Sequence, residues 1–285
     1  MATTVAYLGP EHTNTHLASV ARFGRRSRYV HAPTVDEVFH LVERQRADYG
    51  VVPIENSLGG AVTHTLDRYI DFVDTPVKIH GEIDQPIRHC LIIRPSATLS
   101  DIHVVYSHPQ AFEQCHTWLA KNLPKVTCSE TDSTADAVQR VLRKRIGTWS
   151  TVWDLKGRAA IAAKELADTH RLKAIPISQE RENRTRFLVI GLDNPPRGRH
   201  HKTSVLFGVK DRPGALYDAL VPFKRYRISL TKIESRPSKR KAWEYLFFID
   251  FEGHVSEPRV RRALDELVRC TSLCRVLGSY PTAKR

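Results

Sequence analysis

Asn183-Arg184-Thr185-Arg186-Phe187 sets a hydroxyl and a guanidinium side by side ahead of an apolar run. An arginine so placed can grip a carboxylate through two parallel N–H donors. A threonine beside it can share its proton with a leaving oxygen. An arginine that merely begins a surface strand has the same sequence. Glu55-Asn56-Ser57 follows Pro53-Ile54 and precedes Gly59-Gly60. It offers amide and hydroxyl donors next to backbone that a ligand can approach closely, although turns favour the same residues for conformational reasons. Ser107-His108-Pro109-Gln110 and Asp132-Ser133-Thr134 each stand ahead of a helical pattern. The free N–H groups of a helix start suit a carboxylate; ordinary N-capping uses the same residues. Thr13 and Thr15, in the first polar loop, carry the same ambiguity.

There is no GxSxG elbow, HExxH pair, P-loop or GxGxxG turn in the chain. The five cysteines include no CxxC pair. Cys270 and Cys274 lie one helical turn apart, as do His12 and His16, but two ligands do not close a structural zinc site. No metal and no cofactor is expected. Hydroxyls, amides and a guanidinium suit a reaction eased by orientation and electrostatics.

The elements that must position these groups fall into two patterns. Short apolar runs at Val5–Leu8, Tyr29–Ala32 and Asp48–Ile54 alternate with helical stretches, one opened by the capping box Thr34-Val35-Asp36-Glu37. Strand–helix alternation implies crossover units and a largely parallel sheet. A second lobe is expected from about Val77, with strands at Cys90–Ile93, Val104–Tyr106 and Val126–Cys128. Helices are expected from His108 to Leu119, over Ala135–Val141 and over Ala159–Leu166, before a closing strand at Arg186–Gly191. The polar loops then sit at carboxyl ends of strands, where open α/β sheets bind ligands. Asp193–His201, with two prolines and a glycine, reads as a linker. After it come strand, helix, strand, strand, helix and strand, the βαββαβ order of a ferredoxin-like domain.

The 285 residues suggest about two domains. With 41% hydrophobic and 26% charged residues, the composition excludes a disordered chain. No apolar run reaches the ~18 residues of a membrane span. The start has neither a basic n-region nor an apolar h-region, so a cytoplasmic protein is expected. The net charge of +13 attracts anions. Its basic residues form short clusters such as Arg143-Lys144-Arg145 without interleaved aromatics, which favours a solvated surface over a nucleic-acid face.

Taken in order, several segments resemble the monofunctional prephenate dehydratases. They are Gly9-Pro10-Glu11-x-Thr13-x-Thr15-His16, Pro53–Ser57, His108-Pro109-Gln110-Ala111 with Gln114-Cys115, Ser133-Thr134-Ala135 and Asn183-x-Thr185-Arg186-Phe187. The tail resembles that family's regulatory ACT domain through Gly214-Ala215-Leu216 and Ile233–Pro237. The resemblance implies a two-lobed α/β body like a type-II periplasmic binding protein over residues 1–192, with hinges near 77 and 180. A linker at 193–202 and an ACT domain at 203–280 would follow. It implies loss of carbon dioxide and hydroxide from prephenate to give phenylpyruvate, with feedback by L-phenylalanine. Thr185 maps onto the catalytic threonine. Thr13, Glu55, Asn56, Ser57, His108, Gln110, Ser133, Thr134, Arg186 and Phe187 are then expected to bind substrate. Gly214, Ala215, Leu216, Ser229, Glu234, Ser235, Arg236 and Pro237 are expected to bind the effector at a subunit interface of a homodimer or homotetramer.

The sequence departs from the family's pattern in places. His12 stands where a glycine is usual, so its side chain is expected to narrow the cleft or to exclude a positive-φ backbone. Asn14 replaces an aromatic and Ser229 an asparagine. Arg143–Arg158, with Trp149 and Trp153, reads as an insertion packed as a flap or subunit contact. No chorismate mutase segment precedes Val5, so prephenate is expected from another protein. The same residues also fit an arogenate dehydratase, or an amino-acid sensor that has lost catalysis.

Overall fold

The computed structural model describes residues 2–143, 155–177, 183–195, 200–239 and 244–283. The first lobe grows from β1 (Thr4–Leu8), β2 (Arg28–Ala32) and β3 (Tyr49–Asn56), all parallel, joined by α1 (Asn14–Phe23) and α2 (Val35–Glu43). Thr34 caps α2 by accepting the Glu37 N–H at 3.2 Å. Val35, Val38, Phe39 and Val42 bury the inner face of that helix. The short β4 (Gly60–Ala61) folds back on β3, and α3 (Thr63–Asp71) leads into β5 (Lys78–Pro86).

The second lobe holds β6 (His89–Ile93), β7 (Val104–Ser107), β8 (Thr127–Glu130), β9 (Arg158–Ala163) and β10 (Lys173–Pro176). Its helices are α4 (Pro109–Asn122), α5 (Thr134–Leu142) and α6 (Lys164–His170). The chain then returns to the first lobe as β11 (Arg184–Gly191). The sheets are ordered β2-β1-β3-β11-β5 and β10-β6-β9-β7-β8. Each is therefore built on one plan. Three parallel strands come from two crossover units, and a strand arriving from the other lobe wedges antiparallel between the third of them and an edge strand. This is the expected two-lobed, binding-protein-like α/β body, with mixed rather than largely parallel sheets.

Three expectations are corrected. β5 belongs to the first sheet, so the crossing to the second lobe lies between Pro86 and His89 and not near 77. The missed signal is plain alternation, with Ile79, Gly81 and Ile83 buried between more exposed neighbours. The return crossing near 180 lies outside the described residues. Ala159–Leu166 is not one helix: Arg158–Ala163 is the central strand of the second sheet and α6 starts at Lys164. Alanine favours helix intrinsically, but a strand buried on both faces accepts a short continuous apolar run, and tertiary packing wins. The last two residues of the expected linker, His201 and Lys202, already belong to a strand. Of the expected insertion, residues 144–154, including both tryptophans, lie outside the described residues.

The C-terminal domain follows its expected order: β12 (His201–Gly208), α7 (Ala215–Arg225), β13 (Leu230–Pro237), β14 (Tyr245–Glu252), α8 (Pro258–Cys270) and β15 (Leu273–Pro281). Its antiparallel sheet runs β13-β14-β12-β15. Strand alternation sorts its apolar residues. Val205, Phe207, Ile249 and Phe251 pack with Phe223, Val260 and Leu267 of the two helices. Leu206, Leu246, Phe248, Leu277 and Tyr280 form the opposite face, which joins Ile54, Leu66, Tyr69, Ile79 and Leu188 of the first lobe in one continuous core. β15 approaches β5 so closely that a Cβ on Gly278 would overlap the Ile79 carbonyl. Among the described residues no helix is long and apolar enough to cross a membrane.

Candidate active site

β3 and β11 lie side by side with Asn56 opposite Thr185 and Glu55 opposite Arg186. Successive side chains of a strand point to opposite faces. The ladder therefore presents Asn56 and Thr185 on one side and Glu55 and Arg186 on the other.

Asn56 is the anchor of the first pair. Its Oδ1 accepts the backbone N–H groups of Leu58 at 3.0 Å and Gly59 at 2.9 Å. That fixes which end of the amide is which. Its Nδ2 must then donate, and it lies 2.9 Å from Thr185 Oγ1, 3.0 Å from Asn183 Oδ1 and 3.2 Å from the Arg184 carbonyl. Thr185 is thus an acceptor towards Asn56, which leaves its own proton free to point at a ligand.

The second lobe completes this network. Gln114, on α4, donates from Nε2 to Asn56 Oδ1 at 3.2 Å. Its Oε1 accepts from Asn183 Nδ2 at 2.9 Å and lies 2.7 Å from His89 Nε2. Because that oxygen can only accept, His89 carries its proton on Nε2. Burial lowers the His89 pKa, which keeps the ring neutral at pH 7. Asn183, Gln114 and His89 were not among the expected site residues. Asn183 and Gln114 stand in the quoted motifs, yet nothing in their spacing distinguishes them there. His89 carries no sequence signal, since only folding brings it to Gln114.

The other cleft residues sit at helix starts and turns. His108 caps α4 by accepting the Gln110 N–H on Nδ1 at 3.3 Å. Ser133 caps α5 by accepting the Asp136 N–H at 3.0 Å, with Thr134 beginning the helix. β7 and β8 are parallel, so both helices start from the same end of the second sheet. The Gln110 amide presses on Gly59 of the first lobe, where a Cβ would collide with its nitrogen. Ser57 is exposed, and its hydroxyl accepts the Arg184 N–H at 2.9 Å. Thr13 caps α1 and donates to the Pro10 carbonyl at 3.0 Å. His12 adopts φ 64°, so its side chain does not exclude the positive-φ backbone. Its N–H donates to His16 Nδ1 at 2.9 Å, and its ring lies 6.4 Å from that of His170 in the second lobe.

Three expected substrate ligands are placed elsewhere: strand alternation turns Glu55 and Arg186 to the opposite face, while Phe187, on the same face as Thr185, lies deeper in the core. Phe187 is buried at 1% exposure among Val5, Tyr7, Val51 and Ile83. Arg186 Nη2 lies 2.5 Å from Glu55 Oε2, and its Nη1 lies 3.6 Å from Glu82 and 3.5 Å from Asp250 of the C-terminal domain. Glu55 is further paired with Lys232 of that domain at 3.3 Å. Burial pulls the Arg186 pKa down, but Asp250, Glu55 and Glu82 outweigh it and hold it above its ordinary value. Burial likewise pushes Glu55 up, and Lys232 and Arg186 outweigh it and hold that carboxyl below its ordinary value.

In the C-terminal domain a cavity of ≈ 570 Å³ is lined by Gly214, Ala215, Leu216, Tyr217, Tyr245 and Phe247, among others. Gly214 precedes α7 at φ 79°, a conformation that favours glycine. Ser235 and Pro237 sit in register with Phe247 and Tyr245, but neither Ser229 nor Glu234–Pro237 lines this cavity. Ser229 is exposed, and its carbonyl accepts the Glu252 N–H at 3.0 Å. Arg236 is committed within the chain: its Nε and Nη2 reach the two oxygens of Asp67 on α3 at 3.0 and 3.1 Å. Among the described residues no group of three or more His, Cys, Asp or Glu is arranged to hold a metal ion.

A two-lobed α/β body with a polar network at the lobe junction, fused to a ferredoxin-like domain, is the architecture of a ligand-closing enzyme with a regulatory module. Residues 5–195 match the prephenate dehydratase family model and residues 203–269 the ACT domain model. The chain belongs to the prephenate dehydratase family. It is 48% identical over 283 residues to the bifunctional chorismate mutase/prephenate dehydratase of Aquifex aeolicus, covering 98% of this chain and 74% of that protein. It is 34% identical to arogenate dehydratase/prephenate dehydratase 2, chloroplastic, of Arabidopsis thaliana, over 86% of this chain and 64% of that one. Prephenate dehydratase from Arthrobacter aurescens, solved in complex with L-Phe, superposes with a TM-score of 0.87 at 32% identity, covering 98% of this chain and 90% of that one. GqqA, named as a novel type of quorum quenching acylase, superposes with a TM-score of 0.82 at 27% identity, covering 98% of each chain.

Proposed function

We propose that this chain converts prephenate to phenylpyruvate with loss of carbon dioxide and water, and that L-phenylalanine restrains it through the ACT domain. The ring C–COO⁻ bond breaks and its electron pair enters the ring. The ring C–OH bond breaks, and hydroxide leaves as water after taking up a proton. Aromatisation supplies the driving force. The site must therefore hold a dicarboxylate and stabilise negative charge growing on one oxygen.

A single observation carries this reading: Asn56 Nδ2 donates to Thr185 Oγ1 at 2.9 Å, so the Thr185 hydroxyl is oriented to give its proton away. A neutral threonine is a weak acid, so it polarises the departing oxygen through a hydrogen bond that strengthens in the transition state. The helix starts capped by His108 and Ser133 are suited to the substrate carboxylates. Closure of the lobes over the substrate would expel water and strengthen each of these contacts. The decisive experiment follows prephenate consumption in wild type and Thr185→Val. Near-normal turnover in the variant would remove Thr185 from the mechanism.

The Arabidopsis relative, named for both activities, favours arogenate as a second substrate. Assays with both compounds decide between them, because they differ away from the leaving hydroxyl. Hydrolysis of an N-acyl amide without prephenate consumption would point instead to an acylase. A homodimer or homotetramer is supported by the effector cavity, which lacks the Glu234–Pro237 wall that a second copy would bring. β13 is an edge strand, and Ile233 on it is 49% exposed. The five free thiols suit a reducing cytoplasm.

A further inference from the structure

We propose that Arg186 is a positioning residue, and that the ion cluster it anchors links the ACT domain to Thr185 within a single chain. The inference rests on the regulatory reading above and adds its route.

Three cations and three carboxylates meet behind the cleft. Arg186 contacts Glu55, Glu82 and Asp250. Lys232 pairs with Glu55 at 3.3 Å, and Lys202 with Glu82 at 2.9 Å. Ser204 donates to Asp250 at 2.5 Å. Glu55, Glu82 and Arg186 belong to β3, β5 and β11 of the first lobe; Lys202, Lys232 and Asp250 belong to β12, β13 and β14 of the ACT domain. The charges balance only while both domains contribute. The Lys232 side chain is 7% exposed and its Nζ makes no well-formed hydrogen bond, so its nearest compensation is a carboxylate of the other domain. Burying a cation without such a partner is costly, so a shift of β13 must be answered by Glu55.

Glu55 and Arg186 are the immediate chain neighbours of Asn56 and Thr185. A tilt of either backbone segment on one face of the pleat turns the next side chain on the other. The ladder register shifts directly after Arg186, at the junction with Phe187. Such an irregularity lets the Asn56–Thr185 end of the ladder reorient separately from the part packed in the core. The Asn56–Thr185 hydrogen bond is where the movement is felt.

The experiment uses the full chain, with L-phenylalanine as the probe. Arg186→Lys is expected to lower kcat about tenfold with KM within about twofold. A rise in KM at constant kcat would make Arg186 a substrate ligand and overturn the inference. Asp250→Asn and Lys232→Met are expected to keep basal turnover and calorimetric phenylalanine binding, while half-inhibition by phenylalanine moves at least about tenfold. Asp250→Glu is expected to restore the response, which separates coupling from simple loss of fold. Hydrogen exchange at residues 55–57 and 184–186 is expected to change with phenylalanine in wild type and not in Asp250→Asn. Full inhibition in the variants overturns the inference alone. A wild-type protein that consumes prephenate but ignores phenylalanine overturns the regulatory reading and the inference together.

Discussion

The two faces of the β3–β11 ladder share the same backbone and differ in what they ask of it. On the cleft face, Asn56 and Thr185 belong to a neutral hydrogen-bond network whose donors and acceptors are all assigned by two backbone N–H groups. On the far face, Glu55 and Arg186 sit among full charges drawn from two domains. The neutral side orients one proton without a large field. The charged side resists displacement, because moving any member leaves a buried charge undercompensated. One ladder thus separates chemistry from support by a single residue step.

The largest difference between the faces is expected in turnover. Thr185→Val should lower kcat by roughly 10²–10³, the usual loss for one donor to a developing anion. Its thermal midpoint should stay within about 3 °C of wild type, since the half-buried hydroxyl adds little to stability. A matching loss of stability would blur the comparison. Arg186→Met should instead add a loss of stability to its loss of turnover, destabilising the chain towards the lower end of ~3–5 kcal/mol in urea unfolding, because Glu55, Glu82 and Asp250 lose a shared cation. Gln114→Leu removes the amide that spans the lobes and should lower kcat by the equivalent of about 1–2 kcal/mol, with a stability loss of about 1–3 kcal/mol because the buried His89 and Asn183 donors lose their acceptor.

The smallest effects are expected with pH, and both faces lose stability on acidification. Burial depresses the pKa of His89, and also those of His16 and His80. The unfolded chain therefore takes up protons first, and stability falls as pH drops below 6.5 towards the folded values. Glu55 is depressed from 4.5, so its contribution is present above that value and is lost as pH falls through its lower folded pKa. Urea midpoints measured from pH 8 to pH 3 should show the upper decline in both wild type and Glu55→Gln. The lower decline should be shallower in the variant.

The motif Thr185-Arg186-Phe187 shows how far the sequence could be read. All three residues look like one site when taken as a string, yet period-two alternation turns Arg186 to the regulatory domain, while Phe187, back on the face of Thr185, lies one step deeper and is buried in the core. The ACT elements were legible because their apolar alternation and helix starts agree. Ala159–Leu166 was not, because alanine's helical preference is overridden only once neighbouring strands exist. The network through His89 and Gln114 depends on contacts between residues 25 positions apart, with no local pattern to mark it.

Leu206, Leu246 and Phe248 share a core with Leu66, Ile79 and Leu188, so the sensor here is not a detachable appendage. A chain cut before His201 would leave an oily wall facing water and would favour clumping over solubility. Grafting a foreign sensor onto this body would succeed only if its underside matched that wall and carried a small residue at the place of Gly278, and a heating curve of the intact protein should show sensor and first lobe melting as one.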